Sequence, residues 1–86
     1  MSVQTPKHEV RIINIPGEIQ LRLFPENYMV ASWDRQHLRW CYEFDLDVPM
    51  TLALPMFAVS MTYSGRHDSA ETVCAALNVA IKSVEG

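Results

Sequence analysis

The chain has 86 residues, of which 49% are hydrophobic and 20% are charged, and its net charge is −3. This length and composition predict one folded domain with a modest core, and they exclude both a two-domain protein and a disordered chain. The 7 Lys and Arg residues are scattered singly along the sequence. Nucleic-acid binding draws most of its affinity from clustered basic side chains, so we expect no nucleic-acid partner.

The first residues carry no sign of export. They lack the basic start and the apolar segment of a secretory signal, so we expect residues 1–8 to be a flexible N-terminus and the protein to be cytoplasmic. In a chain that is not exported, two cysteines are more often free thiols than a disulfide. We therefore expect Cys41 and Cys74 to be free thiols.

Three segments near the start predict antiparallel strands joined by tight turns. Residues 9–15 are rich in β-branched side chains and end at a Pro-Gly turn. Residues 19–23 alternate apolar and polar side chains, as a strand with one buried face does. Residues 28–33 are the third candidate, between turn-forming residues at 25–27 and a polar loop at 34–36.

The fourth predicted strand has the clearest alternation in the sequence. Its apolar positions are Leu38, Trp40, Tyr42, Phe44 and Leu46. The residues between them are mostly charged, so the strand should bury one face and expose the other. We interpret the carboxylates Glu43, Asp45 and Asp47 as part of the solvated face rather than as a calcium or acid/base site.

A tract without any charged side chain follows, between Asp47 and Arg66. Such a tract must be covered by the core, by a partner or by lipid. We interpret residues 49–55 as a loop, one helical turn or a short edge strand, because prolines bound them, and residues 56–63 as a fifth strand. We expect no membrane span, since the tract is barely long enough and its prolines break a helix.

The last element is predicted to be a helix over residues 68–85. Asp68 and Glu71 fit a capping box, and apolar residues recur at helical spacing behind them. The chain as a whole predicts a single α+β domain over 1–86. It is an antiparallel four- to five-stranded β-meander over 9–63 with one C-terminal α-helix packed on one face. One helix is too narrow to cover such a sheet, so we expect a homodimer.

Two groups of residues are candidates for binding. The protein-binding candidates are Trp33, Arg35, His37, Met50, Leu52, Leu54 and Met56. Trp and Arg are frequent at interface hot spots, and Met adapts to a partner's shape, although Trp and Met also fill cores. The alternative is an anion site at Ser64, Arg66 and His67, where the helix amides favour negative charge, although these residues also fit a plain turn.

No catalytic, cofactor or metal motif stands out, and His8, His37 and His67 lie far apart in the sequence. We therefore predict a small non-enzymatic protein-interaction protein with an unidentified protein partner. It would be a regulator, inhibitor or assembly factor of bacterial or mobile-element type, acting through the uncharged apolar segment or an exposed sheet edge. The alternative prediction is a small-molecule or anion-binding domain that uses the loop before the C-terminal helix.

Overall fold

The computed structural model describes residues 7–44, 47–63 and 67–85. Its elements in chain order are β1 (Glu9–Ile15), β2 (Glu18–Phe24), β3 (Tyr28–Asp34), β4 (Arg39–Tyr42), α1 (Met50–Tyr63) and α2 (Ala70–Glu85). The strands form one antiparallel sheet in the order β1-β2-β3-β4. The prediction of an α+β fold with an antiparallel β-meander is confirmed, with four strands in the described residues and one helix more than expected.

The turns between the strands depend on residues that tolerate a left-handed backbone. Gly17 has a φ of 85° and Asn27 a φ of 69°, as expected for the two residue types that adopt this conformation most readily. Leu38 shares the positive φ, at 53°, although its β-carbon disfavours it. The carboxylate of Asp34 stabilises this last turn by accepting two backbone N–H groups within it, at 3.0 and 3.2 Å.

The fourth strand is shorter than predicted. It spans Arg39–Tyr42, whereas the prediction ran from 38 to 46. At its start, the left-handed backbone of Leu38 keeps that residue in the turn, where its side chain is exposed. At its end, Glu43 and Phe44 lie beyond the strand. Trp40 is buried, in agreement with the predicted apolar face. Leu46 lies outside the described residues.

Residues 50–63 form the single helix α1. The predicted fifth strand at 56–63 is therefore wrong. Of the three interpretations of residues 49–55, the loop and the edge strand are wrong as well, and the helical turn agrees with the structure for residues 50–55. The buried residues of α1 recur at helical spacing, namely Leu52, Ala53, Met56 and Ser60. A short apolar run fits a strand and a helix alike, so the alternation at 56–63 did not distinguish them. Pro55 lies in the second turn of the helix, where its missing N–H removes one hydrogen bond from the ladder.

Helix α2 begins two residues later than predicted, and its cap is Ser69 rather than Asp68. The Oγ of Ser69 accepts the backbone N–H of Thr72 at 3.2 Å, and its carbonyl accepts the N–H of Val73 at 3.1 Å. The buried residues of α2 are Val73, Leu77 and Ile81. This helix packs on β1 and β2, and α1 packs against α2.

Asn78 joins α2 to the outer edge of the sheet. Its Oδ1 accepts the backbone N–H of Val10 at 2.7 Å, and its Nδ2 donates to the carbonyl of Val10 at 2.9 Å. The Cys74 thiol donates to the same carbonyl at 3.1 Å, and burial raises the pKa of this thiol. Since β1 is an edge strand, these bonds occupy groups that would otherwise be open to another strand. Cys41 is also a free thiol.

His8 connects the start of the sheet to the end of α2. Its Nε2 lies 3.0 Å from Glu26 Oε2, and its Nδ1 lies 2.5 Å from Glu85 Oε1. Desolvation lowers the pKa of His8, but the hydrogen bonds with Glu85 and Glu26 outweigh it, so the pKa lies above its usual 6.5. His8 and Glu85 line a cleft together with Lys7, Glu9 and Lys82. Folding therefore favours the protonated form of His8.

This linkage predicts a pH-dependent stability. The contribution of protonated His8 to the unfolding free energy is fully present below about pH 6.5, the pKa of histidine in the unfolded chain. It is lost as the pH rises through the higher pKa that His8 has in the folded state. We expect His8→Gln to remove about 1 kcal/mol of stability at acidic pH and little at alkaline pH. Urea unfolding of both proteins across this pH range measures the effect, and two parallel curves would contradict it.

Candidate functional site

Helix α1 exposes a row of large apolar side chains on one face. Met50 is 74%, Leu54 69%, Phe57 46% and Met61 80% exposed. Their spacing of four, three and four residues places them within an arc of about 60° around the helix axis, since each residue turns the helix by about 100°. We call these four residues the α1 stripe. The buried residues of α1 occupy a separate, neighbouring arc of about 100°.

The stripe lies on a helix without any charged side chain. A surface helix normally carries polar residues on its outward face, and an exposed apolar row marks a site of interaction. Phe57 also contacts the ring of Phe44, with the two ring centroids 4.2 Å apart. This contact holds one member of the stripe in place against the segment that follows β4.

A groove of about 370 Å³ lies between the start of α2 and the sheet. Three rings line it, from Trp33, Trp40 and His67, together with the carboxylates of Asp68 and Glu71. Aliphatic side chains of β1 and β2 complete its walls, and no Lys or Arg side chain occurs among its described lining residues. We call it the α2 groove.

The rings of the α2 groove contact one another edge to face. Trp33 and Trp40 are directly paired across β3 and β4, with centroids 5.2 Å apart and planes inclined at 64°. The centroid of His67 lies 6.5 Å from that of Trp33. Trp40 Nε1 donates to the backbone carbonyl of Asp68 at 3.0 Å, which fixes the start of α2 to the sheet. The arrangement presents aromatic and acidic groups side by side.

Two buried polar atoms next to this groove have no hydrogen-bond partner within the described part of the chain. They are the hydroxyl of Tyr42 and the Oδ2 of Asp68. Burial first, and then the negative charge of Asp68, raise the pKa of Tyr42 to about 12. The phenol is therefore a neutral donor, and Asp68 keeps one acceptor oxygen unused.

The structure separates the residues predicted for protein binding. Met50 and Leu54 belong to the α1 stripe, whereas Leu52 and Met56 are fully buried and contribute to the core. Trp33 lines the α2 groove instead. Phe57 and Met61 were not among the predicted residues, although the spacing from 50 to 61 identifies them once the segment is read as a helix.

Arg35 and His37 lie in the exposed turn between β3 and β4, and neither belongs to the stripe or the groove. His37 Nδ1 lies 2.8 Å from Asp34 Oδ2, and this pairing lowers the pKa of Asp34. The turn is therefore held together by its own side chains.

Of the predicted anion site, Ser64 and Arg66 lie outside the described residues. His67 is exposed, and its ring contacts Trp33 in the α2 groove. The charged side chains that share this groove with His67 are the carboxylates of Asp68 and Glu71. Their charge repels an anion from the groove.

Within residues 7–44, 47–63 and 67–85, no three His, Cys, Asp or Glu side chains converge as metal ligands. None of the helices described in those ranges has the length and apolar character to cross a membrane. Comparison of the chain with protein-family models, with curated proteins and with solved structures finds no match.

Proposed function

We propose that this chain is a small non-enzymatic protein-interaction protein that binds its partner through the α1 stripe. It would serve as a regulator, inhibitor or assembly factor in the cytoplasm, of bacterial or mobile-element type. The observation that carries the proposal is the exposure of four large apolar side chains in one row on an uncharged helix. Covering each of them contributes about 1.5 to 3 kcal/mol at full burial.

The partner that best fits the stripe is a second copy of this chain. The spacing of four, three and four residues is that of the seam between two packed helices. A twofold pair would set each stripe against its own copy, and because α1 carries no charge, no like charges would meet across the axis. Small β-rich chains also bury additional apolar surface when they associate, which stabilises them.

The stripe supports this proposal better than a sheet edge does. The two edge strands are β1 and β4. On β1, Asn78 already occupies the backbone N–H and carbonyl of Val10. The other edge strand, β4, is only 4 residues long, which leaves little backbone for pairing with another strand.

The test is a double substitution, Leu54→Glu with Met61→Glu, measured by size-exclusion chromatography with light scattering. Both side chains are exposed in the single chain, so the variant should fold normally, with an unchanged helical circular dichroism signal. We expect the wild type to be a dimer and the variant a monomer, because carboxylates cannot be buried in the seam without a partner.

The control is Thr51→Glu, which adds one negative charge to α1 at an exposed position outside the stripe, against two in the double variant. It should leave the dimer intact. If the wild type is a monomer, or if Thr51→Glu weakens association as much as the double variant does, self-association through the stripe is contradicted. Cross-linking of the wild type and of the double variant in cell extract then tests whether a different protein binds the stripe. If both capture the same set of proteins, the stripe is not a protein-binding site and the proposed function is contradicted.

The anion-binding alternative gains no support from the surroundings of His67, where the neighbouring charges in the groove are negative. We do not retain it as a second function.

A further inference from the structure

We propose that the α2 groove binds an alkylammonium group through Trp33, which packs edge to face on the buried Trp40, and through the carboxylates of Asp68 and Glu71. This site is independent of the α1 stripe, because none of the described residues that line the groove belongs to α1. The two proposals can therefore fail separately.

The rings supply the first part of the recognition. A cation is attracted to the face of an aromatic ring within about 6 Å of its centroid, and Trp is the most effective ring. Trp33 and Trp40 meet at 64°. Because Trp40 is only 4% exposed, the half-buried ring of Trp33 presents most of the indole surface of the groove. Ile12 and Ile19 extend the apolar surface beside them. Such walls suit the methyl or methylene groups around an ammonium nitrogen.

The charges supply the second part. Asp68 and Glu71 are the acidic side chains of the groove, and its described lining contains no Lys or Arg to neutralise them. The Oδ2 of Asp68, which has no hydrogen-bond partner in the described residues, is buried, so Asp68 acts on a ligand in the groove through its charge. A neutral apolar ligand would leave both carboxylates uncompensated, and an anion would be repelled. The ligand class that satisfies rings and carboxylates together is an organic cation.

The size and the ligand set distinguish an alkylammonium from a metal ion. A volume of about 370 Å³ lies at the small end of the range for small-molecule sites, roughly 300 to 1,000 Å³. A metal ion needs several converging oxygen, nitrogen or sulfur ligands, and no group of three is present among the described residues. Alkyl groups on nitrogen, in contrast, can pack directly on the indoles.

Tryptophan fluorescence provides a direct test, because the chain has 2 Trp residues and both line the groove. The probe is choline, and its control is 3,3-dimethylbutan-1-ol, which has the same shape with carbon in place of the charged nitrogen. We expect choline to give a saturable change and to bind about tenfold more tightly than the neutral alcohol, from the cation–π and carboxylate interactions.

Glu71→Gln tests the charge without disturbing the core, since Glu71 is exposed. It should weaken choline binding about three- to tenfold, whereas Glu18→Gln, which removes an exposed carboxylate away from the groove, should not. Trp33→Phe provides a second variant and should weaken binding through the smaller ring. Circular dichroism confirms that each variant is folded.

A peptide carrying one trimethyl-lysine distinguishes the source of the ammonium group. Tighter binding of that peptide than of free choline would assign the site to a protein ligand, and the reverse order would assign it to a small molecule. Equal binding of choline and the neutral alcohol would overturn the proposal. It would also be overturned by the absence of a saturable signal up to about 10 mM choline, tenfold above a millimolar Kd.

Discussion

Leu77→Ala is expected to lower the unfolding free energy by about 2 to 5 kcal/mol. Leu77 lies at the middle of α2 with 0% exposure, between Val73 and Ile81 on the buried face of the helix. Its truncation removes the buried methyl groups and leaves a cavity that close-packed neighbours fill only in part. Urea unfolding followed by circular dichroism measures the change.

The matched control is Val79→Ala, two residues further along the same helix. Val79 is 68% exposed, so its truncation should change the stability by less than about 0.5 kcal/mol. If Leu77→Ala leaves the denaturant midpoint unmoved, α2 does not pack against the sheet and α1 as described. If both variants lose equal stability, the loss comes from the helix itself and not from its docking.

The second large effect is expected for Asn78→Leu, at about 1 to 3 kcal/mol. The substitution keeps the approximate size of the side chain but leaves the N–H and the carbonyl of Val10 without their partners at 2.7 and 2.9 Å. An unsatisfied backbone group in a partly buried setting costs about 1 to 3 kcal/mol. Cys74 still donates to the carbonyl, which limits the loss.

Hydrogen exchange gives this prediction a local readout. The amide of Val10 should exchange faster in Asn78→Leu than in the wild type, by more than the loss of global stability explains. Ser83→Leu, at an exposed position of the same helix, serves as the control. If the Val10 amide keeps its protection in Asn78→Leu, then Asn78 does not cover the edge of β1.

Turn chemistry made the strands predictable. The residues between them are of the types that tolerate or favour reversals, Gly17 and Asn27 among them, and both adopt the left-handed backbone. The same information was insufficient at Leu38, a residue that does not favour that backbone and yet adopts it, which shortened the predicted strand.

Helix α1 could not be recognised from its pattern. A helix that is apolar all around gives no periodic contrast, and the prolines at its start pointed to a break. The candidate residues taken from this tract were therefore a mixture: Met50 and Leu54 lie on the exposed face, while Leu52 and Met56 lie in the core. Which of them face water depends on where α2 packs, and a single sequence does not contain that information.

The α2 groove depends even more on tertiary structure. Trp33 and His67 were placed in two unrelated candidate sites, because they lie far apart in the sequence and belong to different predicted elements. The sheet register and the position of α2 bring their rings to 6.5 Å. No spacing rule links the two residues, so only the folded arrangement shows that they share one surface.

The attachment of β1 to α2 has a consequence for how the protein is made. Val10 and His8 are bonded to Asn78 and Glu85, which follow them by 68 and 77 residues. During synthesis the chain leaves the ribosome from its N-terminus, so the first strand is present long before the side chains that cover its edge. Until α2 has emerged, the N–H and the carbonyl of Val10 are open at the edge of the nascent sheet, where they are available for pairing with the wrong strand.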